Sequence, residues 1–327
     1  MSTRTIRSVI VSTILIASLL PVSKAGEITF SFSYDSTFTS AAGTNLDAAQ
    51  ADMSYVGSYL SSVFKTSGNY NITMKFAITG FSDSLTSNLG SAGSSFSGFS
   101  NSFNKTLTQT YAQTGSNPAG AGADVGHATF NFGKSWGFGG IVTNQQVDFR
   151  YVVLHEMTHA MGFVGLIGSS GTTTSTTTGF YGWMDQYLYG WNSTTSQYEP
   201  LVQKVGSTMV SMSGASAAVV NSVHPVQFWG DNVQTFIGNQ NSGQNMYTPS
   251  PFASGSSLYH VNVASDLMYY AVGNGPKTFG YTGLDLAFLK DLGYVIVPEP
   301  GTYVLSCVVV ITLAFCGKRR RLAQAVA

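Results

Sequence analysis

Apolar and polar positions alternate at Ile28, Phe30, Phe32 and Tyr34, the period of two that turns every second side chain of a strand toward a core. Between residues 45 and 64 the period lengthens. Ala49, Met53, Val56, Leu60 and Phe64 follow in steps of three and four, which predicts a helix with Asn45 or Asp47 available as its cap. Gly57 interrupts this helix at a cost of about 1 kcal/mol relative to alanine. Alternation returns at Ile72, Met74, Phe76 and Ile78. Strand, helix and strand in succession are the pattern of a crossover unit in an α+β or α/β domain.

Farther along, residues 82–102 are rich in Ser and Gly and predict a surface loop. Ala128, Phe130 and Phe132 form another short alternation before the glycine-rich stretch 133–140. A helix is expected over 146–161, stopped by Gly162, and residues 169–178 form a Ser/Thr/Gly tract with the composition of a loop. Leu286, Leu289 and Leu292 have the spacing of an amphipathic closing helix, which puts the end of the folded body near Ile296. No internal repeat and no long linker divides the chain. The expected fold class is α+β.

Composition sharpens this picture. The 327 residues are 43% hydrophobic and only 9% charged, enough to build a sizeable core and too weakly charged for disorder driven by charge. The formal net charge of zero offers no basic surface for nucleic acid. That zero is unevenly distributed. Seven of the fifteen basic residues are Arg4, Arg7, Lys24, Lys318, Arg319, Arg320 and Arg321, whereas all fifteen acidic residues lie between Glu27 and Glu299 with only eight basic ones. The body is acidic and the ends are basic.

The N-terminal end has Arg4 and Arg7, an apolar run over 9–20, and Ser23-Lys24-Ala25. A basic flank, a short apolar stretch and small residues at the −3 and −1 positions predict a signal peptide, 1–25, cleaved after Ala25. The C-terminal end reads Pro298-Glu299-Pro300, an apolar run over 303–315, and the Lys318-Arg321 cluster, which predicts a membrane segment with its basic end in the cytoplasm. Both cysteines, Cys307 and Cys316, fall in this tail. The body therefore has no disulfide, thiol nucleophile or cysteine-ligated metal. Pro-Glu-Pro, apolar helix and Arg cluster in this order resemble the PEP-CTERM sorting tail of Gram-negative bacteria. The resemblance implies that residues 297–327 are recognised by an exosortase-type processing enzyme. The body, 26–296, would then be delivered to the cell surface, outer membrane or extracellular matrix after transient anchorage in the inner membrane, its only membrane contact.

The chemistry is concentrated in Val152-Val153-Leu154-His155-Glu156-Met157-Thr158-His159-Ala160-Met161-Gly162-Phe163. Residues four apart lie on one face of a helix, so His155 and His159 can grip one Zn²⁺, and Glu156 sits beside it, placed to take a proton from an attacking water. With five His and four Glu in the chain, such a spacing arises by chance on the order of 10⁻³ times. A catalytic zinc takes three protein ligands, so one is still to be found. His127, His224 and His260 remain as imidazoles; Asp185, in Gly182-Trp183-Met184-Asp185-Gln186-Tyr187, is the carboxylate alternative.

The sequence around Gly162 resembles the HExxHxxG zinc peptidases of the metzincin clan, with one departure: the clan's compact third histidine would fall at position 165, which is Gly165. Leishmanolysin-like metzincins place a long insertion before that histidine, and His260, eight residues before Met268 in Asp266-Leu267-Met268-Tyr269-Tyr270, is similar to their third ligand and Met-turn. The resemblance implies a metzincin-like domain with a mixed sheet, an active-site helix and a Met-turn. It makes His155, His159 and His260 the ligands of Zn²⁺, Met268 the apolar floor and Glu156 the general base. Tyr270, at the Met-x-Tyr position, would contact the developing oxyanion. A polypeptide substrate would pair with an edge strand, for which 128–132 and its glycine-rich sequel are available. The implied function is an exported zinc metalloendopeptidase. The alternative is a non-catalytic, metal-binding surface or matrix protein that keeps the fold, and the presence of Glu156 speaks for the enzyme.

Overall fold

The computed structural model describes residues 25–98 and 100–297. The expected signal peptide and sorting tail lie outside those residues, apart from Ala25 and Val297. The architecture is α+β, with open sheets and packed helices. Strands Ile28–Tyr34 and Ile72–Phe81 run parallel, Ile28 opposite Ile72 and Tyr34 opposite Ile78, and Gly126–Asn131 pairs in parallel on the far side of Ile72–Phe81. The alternating residues do what their period predicts: Ile28, Phe30, Ile72, Met74, Phe76 and Ile78 are all buried.

Helix Leu46–Val63 makes the crossover between the first two strands and buries Ala49, Met53, Val56 and Leu60. Gly57 has a packing reason to be there. A Cβ at that position would lie 2.8 Å from the Phe32 ring, so the missing side chain lets helix and sheet approach closely.

The fourth strand corrects the sequence reading. It is Gly90–Gly93, antiparallel to Gly126–Asn131 and at the edge of the sheet. The stretch 82–102, expected as a surface loop, thus contains a strand, while 128–132, expected as an edge, belongs to a strand paired on both sides. Gly-Ser-Ala-Gly carries no apolar alternation because one face of it lies against a helix at close range. A Cβ at Gly90 would be 3.2 Å from Cγ of Glu156.

The helix that carries the motif runs Phe149–Ala160. Its N-terminus is fixed three ways. Asp148 caps it by accepting the Tyr151 N–H at 3.2 Å. Phe149 is packed by Phe130, Phe132, Trp136 and Phe138 at centroid distances of 5.0–5.8 Å. Arg150 donates to buried Asp52 of helix Leu46–Val63 at 2.5 Å, and Asp52 also accepts the Gly139 N–H.

A second, antiparallel sheet has the strand order Gln197–Pro200, Leu188–Asn192, Gln227–Phe228, Gln244–Asn245. Bridges from Met246 to Val261 and from Val261 to Tyr269 tie it to the segment that holds His260 and Met268. Helix Gly283–Asp291 closes the body, begun by a capping box between Thr282 and Asp285. One hydrophobic cluster extends from Ile28 to Tyr294. Among the described residues no helix is long and apolar enough to cross a membrane.

Candidate metal centre

On the motif helix, His155 and His159 are one turn apart, with ring centroids 4.9 Å from each other. His260 comes from more than a hundred residues downstream, and its Nε2 stands 3.2 Å from Nε2 of His155 and 3.2 Å from Nε2 of His159. These are the only three His, Cys, Asp or Glu side chains among the described residues that converge in a way that could hold a metal ion.

Each ring is aimed by a backbone carbonyl. Nδ1 of His155 meets the Leu267 carbonyl at 2.7 Å, that of His159 the Phe163 carbonyl at 2.8 Å, and that of His260 the Ser256 carbonyl at 2.9 Å. A carbonyl only accepts, so each Nδ1 carries the proton and each Nε2 presents its lone pair to the common centre. Three lone pairs facing one another repel, and a cation between them relieves this. Nitrogens bound about 2.0–2.1 Å from a tetrahedral ion lie about 3.3 Å apart, close to the two separations observed.

Local sequence explains the aim. Gly162 adopts φ +95°, which only glycine takes readily, and the turn it allows brings the Phe163 carbonyl back onto His159. Thr108 donates to the buried carbonyl of Ala160 at 2.9 Å and secures that end of the helix. The turn containing Leu267 and fully buried Met268 supplies the carbonyl for His155. Tyr247 grips the segment of His260 by donating its N–H to the His260 carbonyl and accepting the Leu258 N–H. Leu258 is held at φ +72°, an unfavourable conformation for a branched side chain, within this backbone clamp.

Electrostatics favour the ligand form. Burial, assisted by His260, lowers the pKa of His155 to about 3. Burial together with the two other rings holds His159 well below its ordinary value, and burial holds His260 down as well. All three are neutral near pH 7 and need lose no proton to take up a metal. Glu156 is buried beside them, and burial alone pushes its carboxyl up to about 8. Among the described residues no hydrogen bond holds that carboxyl in place, which leaves its oxygens available to a substrate or water.

The alternatives lie elsewhere. His224 stacks on Trp191 at 4.2 Å, and exposed His127 lies on the strand Gly126–Asn131; neither joins the triad. Asp185 is wholly buried and accepts from the backbone N–H groups of Leu166 and Gly182 and from the Tyr259 hydroxyl. Burial raises its pKa to about 6 against the pull of those bonds. Position 165, where a compact motif would put its third histidine, is closed: a Cβ on Gly165 would lie 2.0 Å from Asp185 Oδ1 and 2.5 Å from the Tyr259 ring. Asp185 thus anchors Tyr259, the neighbour of His260, to the chain leaving the motif helix. Tyr270 is 37% exposed and stacks on Tyr247 with centroids 3.7 Å apart.

Sequence reading missed Gly90, Tyr259 and the three carbonyls that accept from the histidines. Only Tyr259 had a visible signal, its adjacency to His260. No protein-family model, curated protein or solved structure matches the chain.

Proposed function

We propose that the chain is an exported zinc-dependent endopeptidase of metzincin-like build. The observation that carries this reading is a buried carboxyl, Glu156, without a hydrogen-bond partner among the described residues, next to three imidazoles whose Nε2 atoms converge. His155, His159 and His260 would hold the ion. Zn²⁺ in such a site supplies Lewis acidity toward a carbonyl and makes water acidic enough to ionise near neutral pH. Glu156 takes the proton of the attacking water and returns it to the leaving amine, and a carboxyl already raised by burial is suited to do both.

The strand Gly90–Gly93 ends the sheet above Glu156, and its open side accepts an extended peptide by strand addition. Its small side chains leave room for the substrate's own. Tyr270, two residues beyond Met268, is assigned the donor to the developing oxyanion. Tyr270→Phe should then lower kcat about 10²-fold at unchanged zinc content. Export through residues 1–25 and exosortase-type cleavage near Pro298-Glu299-Pro300 belong to the same proposal.

The test is hydrolysis of an unfolded protein such as casein by the wild type and by Glu156→Gln at equal zinc content. Wild-type cleavage that is lost in the variant supports the enzyme. Equal inactivity of both after any propeptide is removed would leave the non-catalytic metal-binding protein as the reading.

A further inference from the structure

The outward face of the second sheet is lined by aromatic rings that have no part in the core. Along Leu188–Asn192 the inward positions Leu188, Gly190 and Asn192 are buried, and Tyr189 and Trp191 turn the other way, half-buried. Register places Tyr198 opposite Trp191 and both Pro200 and Gln227 opposite Tyr189, with Asn245 beyond Gln227. All of these share the outer face.

The rings on it are continuous. Trp229 stacks on Tyr189 at 4.7 Å, Tyr198 lies 6.4 Å from Trp229 and 5.4 Å from Trp191, and His224 stacks on Trp191 at 4.2 Å. Two of the four tryptophans of the chain are spent here, whereas Trp136 and Trp183 pack in or against the core. None of Tyr189, Trp191, Tyr198 and Trp229 belongs to that cluster or packs against it.

The polar chemistry of the face narrows the occupant. No Lys, Arg, Asp or Glu occupies its outward strand positions; Glu199 points to the opposite face and accepts from Asn192 and Thr195. A face without charge has no complement for an anionic polymer or a charged peptide. Gln227 accepts from the Trp229 indole at 2.9 Å and donates to Asn245 at 3.1 Å, a small amide network that fixes the Trp229 ring. The aliphatic side chains that fill a protein interface are missing from it, and Pro200 is its only non-aromatic apolar residue.

Flat rings, fixed amides, aromatic hydroxyls and no charge match a polymer with apolar C–H faces and neutral hydroxyl edges. We infer that this face binds a neutral hexose polysaccharide, with successive sugar rings seated on Trp191, Tyr198 and Trp229. Half-buried aromatics lose little freedom on binding, and several weak contacts along one polymer sum to useful affinity. The inference does not rest on the peptidase reading, because the sheet face and the triad have no residue in common.

The test is native affinity electrophoresis of the full chain through gels containing hydroxyethylcellulose, laminarin or soluble starch, with polygalacturonate as the anionic control. Retardation is expected in at least one neutral gel and not in polygalacturonate. Trp191→Ala with Trp229→Ala should weaken it roughly tenfold or more. Tyr198→Ala should weaken it less, and Glu156→Gln should leave it unchanged. A far-ultraviolet circular dichroism spectrum and a urea midpoint of the tryptophan variant equal to wild type certify its fold; if they differ, Tyr198→Ala decides alone. Free migration in all three neutral gels, or retardation undiminished from wild type in the variant that decides, overturns the inference. So does a concentration-dependent dimer in sedimentation velocity that the same variant abolishes, because the occupant is then a second copy of the chain.

Discussion

At the scale of single residues, two glycines carry sharp consequences. A Cβ at Gly90 would press on Glu156 Cγ at 3.2 Å and Oε1 at 3.3 Å. Gly90→Ala should therefore displace the carboxyl and lower kcat about tenfold to a hundredfold. KM and zinc content should barely change, as steady-state kinetics and metal analysis would show. At Gly165 the obstacle is a buried carboxylate rather than a movable tip, so Gly165→Ala should destabilise the fold by about 2–3 kcal/mol, read as a drop in denaturant midpoint at constant slope. The motif itself was legible because its information is local: two imidazoles and a carboxyl at helical spacing, then a glycine at the stop. Gly90 was not legible, since nothing in Gly-Ser-Ala-Gly marks the position as lying 3 Å from a carboxyl sixty-six residues away.

Among elements, the turn that presents the Leu267 carbonyl to His155 rests on a buried pair of carboxyls. Asp266 accepts the Met268 N–H and the Thr282 hydroxyl, while the Asp285 carboxyl accepts the Thr282 N–H in the capping box that opens helix Gly283–Asp291. Burial first, then the neighbouring Asp266, raises the pKa of Asp285 well above its ordinary value. A raised folded pKa contributes stability that is fully present below the unfolded value of about 3.9 and is lost as pH rises through the folded pKa. The stability of the wild type relative to Asp285→Asn should therefore fall as pH rises over that interval, measured by urea unfolding at a series of pH values. A difference independent of pH would show that the pair does not share a proton. At this scale the strands at 28–34 and 72–81 and helix 46–63 could be read from sequence, because each buries one face against a large neighbour and shows it as a period. The strands of the second sheet could not. They are two to five residues long, too short for a period to stand out, and their outward face is aromatic where polar residues are the usual signal.

For the molecule as a whole, a body without cysteine gains stability from its single core and from any ion the triad holds. Zinc at about a hundredfold above its dissociation constant should add about 2.7 kcal/mol, or a rise of roughly 5–10 °C in Tm, and chelation should remove it. An unchanged Tm under both conditions would mean that the site does not bind zinc in the folded state. The long-range part of the design was the least legible. His260, 101 residues beyond His159, has no spacing to recommend it as a ligand, and only the resemblance and the Leu-Met turn that follows point to it. Folding supplies the reason, because bridges through Met246, Val261 and Tyr269 carry the second sheet's edge back to the motif helix. The most direct measurement is therefore zinc per mole of protein in the wild type, His260→Ala and His224→Ala after dialysis against trace metal. The expected result is about one zinc per chain in the wild type and in His224→Ala, with most of it lost from His260→Ala. Full zinc retention by His260→Ala would contradict the three-histidine centre.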